Sequence, residues 1–396
     1  MKTQKIQTQN YHKSPTTPRV SHTSNKINFH ALQLKRAGVT TKTNPSLFMK
    51  IGALATAGAV SIKELFFNKV LEVSTVGQIK QNAILFGKSI AENIYQNNGK
   101  FNPKEIEKLV LTHLEEEHRK DVRVVTNEAD FCDFAEKHMN LNIEYAKTLF
   151  QKTAGFAAHG TNGEMVFFLK LDGKEPEVAT HIATHEFEHL LYKTSGLMGK
   201  LMKKHLSEPA EKKEEKTNKQ TDSFGENVNK KFFSLQNALA GLLLGKNATS
   251  TPFEYVDQEP TIEGILKLSP ELTSKKDLDK WLEKYIRQNL IQPNFDESNL
   301  SELQGFEIVL SDEARAYDAG GKAQKYYNEL TDKNKDKTTM AEMVSVIYTQ
   351  MANKIQKYKK LIIKSAIKEA CGMKPTDYHE PIPKESSNTN EASNKK

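Results

Sequence analysis

His185, Glu186 and His189 stand as H-E-x-x-H within HIATHEFEHLLY, residues 181–192. On an α-helix, positions i and i+4 are about 40° apart in rotation and one turn apart in rise. Two imidazoles so spaced converge on a single cation. Zinc suits them, because it takes ring nitrogens at about 2.0–2.1 Å and keeps an open position where a site is catalytic. Glu186 projects about 100° round from His185. From there it reaches a water at the metal without being a ligand, which is the place of a general base. Ile182, Glu186 and Leu190 also share one stripe of that helix. A carboxylate on an apolar stripe is costly without a partner, and a nearby dication removes the cost.

The elements that must position this triplet are legible nearby. GFAAH (155–159) and EMVFFLKL (164–171) are β-rich and are separated by Gly160-Thr161-Asn162-Gly163, whose Asn-Gly is a hairpin signal. The pattern predicts two antiparallel strands. Pro176 then falls in the first turn of a helix that runs to about Thr194.

With an H-E-x-x-H helix following a strand pair, the chain resembles the zincin metallopeptidases over residues 150–330. The resemblance implies a mostly helical α+β fold with a small antiparallel sheet packed on the H-E-x-x-H helix. It also implies an edge strand that pairs with an extended peptide, with Phe156–His159 and Met165–Leu171 as the matching strands. The metzincin form of the motif is missing, since no His follows at the required place and Gly196 comes seven residues after His189. The gluzincin form takes its third ligand from a later helix. Ser311-Asp312-Glu313-Ala314-Arg315-Ala316-Tyr317 fits that form, with Glu313 as the ligand and Asp312 or another carboxylate as alternatives. Ser311 reads as an N-cap, which starts the helix near residue 311. An acid in the first turn is favoured by the macrodipole whether or not a metal is present.

Other residues have weaker claims. His181 lies one turn before His185 and is either a supporting group or a packed His. His159 at the hairpin turn is open to the cleft or is simply a turn residue. Tyr317, four residues after Glu313, is placed to hydrogen-bond an oxyanion or to pack in the core. Asp312 and Glu188 are candidates for orienting the ligand imidazoles. His113 and His118 share no face and read as solvated.

Around this core, residues 47–150 form an N-terminal helical region. KELFFNKVLEV, AILFGKSIAENIYQ, PKEIEKLVLTHLEEEH and EYAKTLFQKT space their apolar residues three and four apart, and Asp121–Thr126 alternates like a short strand. Within the region, 47–62 is Ala/Gly-rich, interrupted by Lys50, and short of the roughly 20 residues of a spanning helix. It suits packing on the body or weak membrane contact. Residues 203–229 are a low-complexity charged insertion in the 151–330 core, followed by the helical KKFFSLQNALAGLLLG and TSKKDLDKWLEKYIRQNLI. Residues 331–373 hold a C-terminal helix, and 1–46 and 374–396 read as disordered tails.

The chain has 396 residues and a net charge of +7. Residues 1–46 alone carry eight basic and no acidic side chains, and 374–396 balance four against four, so the body is close to neutral. A basic nucleic-acid-binding domain is therefore not expected. Two cysteines without CxxC spacing exclude a disulfide scaffold and a cysteine zinc finger. Polar residues follow Met1 directly, so no cleavable signal is read there. A cytoplasmic place is expected, with secretion or membrane association as the alternatives. The expected function is a Zn²⁺-dependent peptidase acting on a peptide or protein, with His185, His189 and Glu313 as ligands and Glu186 as base. The rival is an inactive or structural zincin-like protein that serves as a membrane-associated or secreted interaction module.

Overall fold

The sequence puts near-continuous apolar residues into MVFFL, and a strand apolar on both faces belongs in the middle of a covered sheet. In the computed structural model that run is β3 (Met165–Leu169), all five residues buried, between β1 (Val122–Val125) and β2 (Gly155–His159). The structure describes residues 62–160, 164–196, 231–243 apart from 233, 252–291, 297–370 apart from 335, and 372. The tails 1–46 and 374–396, the segment 47–61, the Asn162-Gly163 turn and the insertion 203–229 lie outside the described residues. β2 pairs antiparallel with β3, as the hairpin pattern predicts, from Gly155 opposite Leu169 to His159 opposite Met165. β1 adds a parallel partner on the other side, so the sheet is mixed rather than wholly antiparallel. Parallel pairing needs a crossover. Here it is made by α4 (Glu128–Met139), which the periodicity reading passed over, and α5 (Ile143–Lys152).

Alternation splits the sheet between two cores. Phe156, Ala158, Val166 and Phe168 face α4 and α5, where Phe131 and Phe134 are fully buried. Ala157, Met165, Phe167 and Leu169 face the other way, onto α6 (Pro176–Thr194) and α1 (Ile62–Gln96). The two N-terminal helices expected in 63–96 are this one continuous α1. α2 (Pro103–His113) starts as predicted, with Asn102 as the capping side chain and Pro103 in the first turn. The short α3 (Glu116–Arg119) follows it. His113 is part-buried rather than solvated, with Nε2 3.1 Å from Ser89 Oγ and its ring edge-on to Phe86.

Within α6, twelve residues are buried, because α1, the sheet and α9 (Glu297–Thr331) surround it. A helix buried all round has to satisfy its polar side chains internally. Thr180 and Thr184 do so by donating to the carbonyls of Pro176 and Thr180. A further core joins helical residues 231–232 and 234–243, α7 (Ile262–Leu268), α8 (Lys275–Asn289), α9 and α10 (Met340–Ala370). A two-stranded ribbon, β4 (Tyr255–Val256) with β5 (Thr338–Thr339), also escaped the sequence reading. Two-residue strands carry no periodicity to detect.

The expected N-cap at Ser311 is wrong. α9 runs through it without a break, and Ser311 O accepts from Arg315 Nη1 at 2.9 Å. Burial of Leu303, Phe306 and Leu310 upstream extends the helix past Ser311, whose cap preference of about 1 kcal/mol is the smaller effect. Glu313 is thus mid-helix, where the macrodipole does not account for it. Among the described residues no helix is long and apolar enough to cross a membrane.

Candidate metal centre

Close helix packing brings α9 onto α6. At Gly320 an added Cβ would sit 2.9 Å from His181 Nδ1 and Cε1 and 3.0 Å from its carbonyl oxygen. Glycine at that point lets the two backbones approach, and Glu313, two turns earlier, comes to lie over His185 and His189. His185 Nε2 and His189 Nε2 are 3.1 Å apart. Glu313 Oε2 is 3.5 Å from the first and Glu313 Oε1 is 3.7 Å from the second. Ligand atoms at zinc distances in a tetrahedral arrangement lie roughly 3.3 Å from one another. The three groups therefore suit one small cation in size, donor type and direction, and two imidazole nitrogens aimed at each other at 3.1 Å otherwise have to share a proton.

Glu313 is driven toward ionisation in this setting. Burial alone would raise its pKa, but the hydrogen bond with His185 and the charges of His189 and His185 hold it below the ordinary carboxylate value. His189 behaves conversely. Burial opposes its charge, yet Asp312, Glu313 and Glu186 outweigh burial and push it up to about 10.

Behind His189 lies a buried ionic chain. Asp312 Oδ2 is 2.8 Å from His189 Nδ1, Asp312 Oδ1 accepts from Arg315 at 2.8 Å, and Arg315 Nε donates to Glu188 Oε1 at 2.8 Å. Asp312 is thus the direct partner of the imidazole, in the orienting position predicted for it. Glu188, fully buried, is 3.9 Å from the ring and acts through Arg315. The Arg315 guanidinium also stacks over Tyr192, 4.2 Å from the ring centre. Arg315 was not foreseen; the D-x-x-R spacing with Asp312 on one helix face was the available signal.

Glu186 is only partly buried, beside the edge strand. Its Cγ would be 2.8 Å from a Cβ at Gly155, so the missing side chain of Gly155 is what makes room for it. Nothing in the sequence marked Gly155 for this. The Glu186 carboxylate is near enough to act electrostatically on both His189 and Tyr317.

The remaining candidates divide. Tyr317 stands edge-on to His185 with ring centres 4.7 Å apart, and its hydroxyl bonds to Gln236 from helical residues 234–243. His181 is buried and stacked 5.8 Å from His185, and burial followed by the charge of His185 lowers it to about 3, so its ring is neutral. His159 is not brought to the cluster. It lies exposed at the end of β2, where partial burial and then Lys193 lower its pKa. The group Glu188, His189 and Asp312 also has ligand-like spacing, but Arg315 already occupies it.

No protein-family model, curated protein or solved structure matches the chain.

Proposed function

We propose that this protein is a zinc-dependent peptidase. The observation that carries the reading is the convergence of His185 Nε2, His189 Nε2 and a carboxylate from a distant helix at 3.1, 3.5 and 3.7 Å. Zinc, when bound there, supplies a Lewis acid that polarises a carbonyl and activates water. His185 and His189 would hold it, with Glu313 as the anionic ligand. Asp312 Oδ2, 2.8 Å from Nδ1, holds the His189 ring from the far edge, so that Nε2 is the nitrogen that would face the metal.

Glu186 takes the proton from the attacking water and hands it to the leaving amine. Its position one residue after His185 gives it the reach, and Gly155 gives it the space. The outer edge of β2 has no strand paired to it among the described residues. Glu186 lies against the face of this same strand at Gly155, so a peptide paired to that edge would run close to it, which supports a peptide substrate over a small one.

The test is zinc content with turnover of a peptide library by the full chain. One zinc per wild-type chain, with hydrolysis, is expected. Glu313→Ala is expected to lose both, and an unchanged stoichiometry in that variant contradicts the assigned ligand set.

A further inference from the structure

The outer edge of β2 is not bare. Residues 156 and 158 stand opposite Phe168 and Val166, and the bonds Lys170 N–H to Ala154 O and Gly160 N–H to Glu164 O continue the same ladder. In an antiparallel pair the intervening residues then direct their backbone groups away from the partner. Ala157 O therefore points outward, and Lys193 Nζ from the last turn of α6 donates to it. Lys193 sits one helical turn beyond His189, so the H-E-x-x-H helix itself caps the outer edge of β2.

Lys193 has no carboxylate within salt-bridge distance among the described residues, and its one assigned acceptor is the Ala157 carbonyl. The other cation nearby, Arg315, is already taken by Glu188 and Asp312. The ammonium, part-buried, therefore lies against the outer edge of β2 at Ala157. A peptide that pairs with β2 offers its own N–H to Ala157 O and displaces the ammonium. A part-buried ammonium without an acceptor is costly, whereas a carboxylate gives it a charge-assisted bond stronger than the one lost.

We propose that Lys193 makes this site select peptides with an acidic side chain, by trading the Ala157 carbonyl for a substrate carboxylate as the peptide pairs with β2. The inference rests on the peptidase reading of the same site. Selection acts through binding, so it separates from the chemistry.

The experiment uses the full zinc-loaded chain with Glu186→Gln, and six hexapeptides that carry Asp at successive positions, each matched with its Asn counterpart. Calorimetric binding of at least one Asp peptide roughly 10-fold tighter than its Asn match is expected. Lys193→Met in the same background is expected to bring that ratio to about one while the Asn peptide still binds. Equal binding of all Asp and Asn pairs overturns the proposal, as does no binding of any peptide, or a preference that survives Lys193→Met. A purely structural cap would lower the thermal midpoint without moving the ratio. Cleavage by the wild-type chain is read separately. Lys193-dependent binding without cleavage removes the peptidase reading and leaves acid selection standing, and cleavage without acid preference does the reverse.

Discussion

Asp312 Oδ2 lies 2.8 Å from His189 Nδ1, on the side of the ring away from Glu313. Two neighbouring acids of one helix thus grip the same imidazole from opposite edges. Asp312 holds the Nδ1 edge, and Glu313 lies at the Nε2 edge, where the proposed cation would sit. Asp312 is itself anchored, because Arg315 ties it to the buried Glu188.

Replacing Asp312 by Asn keeps the shape and removes the charge. Outer partners of ligand imidazoles are typically worth 10- to 100-fold in metal affinity. Asp312→Asn is expected to weaken zinc binding by roughly that factor in a chelator competition while the chain stays folded by circular dichroism. Unchanged affinity would mean that the Asp312–His189 contact serves packing alone.

The two perturbed histidines give the metal-free protein a defined pH response. His189 is raised from 6.5 to about 10, so the folded state holds its proton more tightly than the unfolded chain does. That stabilisation is full below about pH 6.5 and is lost as pH rises through about 10. His181 is lowered from 6.5 to about 3, so between these values the unfolded chain binds the extra proton and stability falls as pH drops. Thermal midpoints of the metal-free chain should peak near pH 6.5 and fall on both sides. In the proposed site zinc would take His189 as a neutral ligand, so the alkaline fall should shrink when zinc is added. A metal-free midpoint flat from pH 7 to 10 would refute the His189 part.

Gly155 makes a more local claim. A methyl group there meets Glu186 Cγ at 2.8 Å and Phe168 O at 3.1 Å, and the backbone oxygen cannot move aside. Gly155→Ala should therefore shift Glu186 and cut kcat by about 10- to 100-fold, since small misplacements of a reacting group have costs of that order. Zinc stoichiometry should stay at that of the wild type. Normal kcat in the variant would show that Glu186 does not need its present position.

How much of this was legible in the residues depended on range. The α6 helix, the β2–β3 hairpin, the α2 start and the presence of α8 rest on local patterns and caps, and Pro103 and Pro176 fell where expected. The convergence of Glu313 on His185 and His189 was expected only through the zincin resemblance, because no local rule links positions 189 and 313. The start of α9 was misread at Ser311, since burial of residues upstream overrode a cap preference worth about 1 kcal/mol. β1 looked like an isolated strand because its partner is non-local. Gly155 and Lys193 gave no signal, as each matters only for what the fold sets against it.

The most direct measurement compares the wild-type chain with Glu186→Gln, both analysed for zinc and both assayed on the same peptide library. One zinc per chain in each, with hydrolysis falling at least about 1,000-fold in the variant, is the predicted result. A zinc-replete Glu186→Gln chain that hydrolyses peptides at the wild-type rate, or a wild-type chain that binds no zinc, contradicts the account.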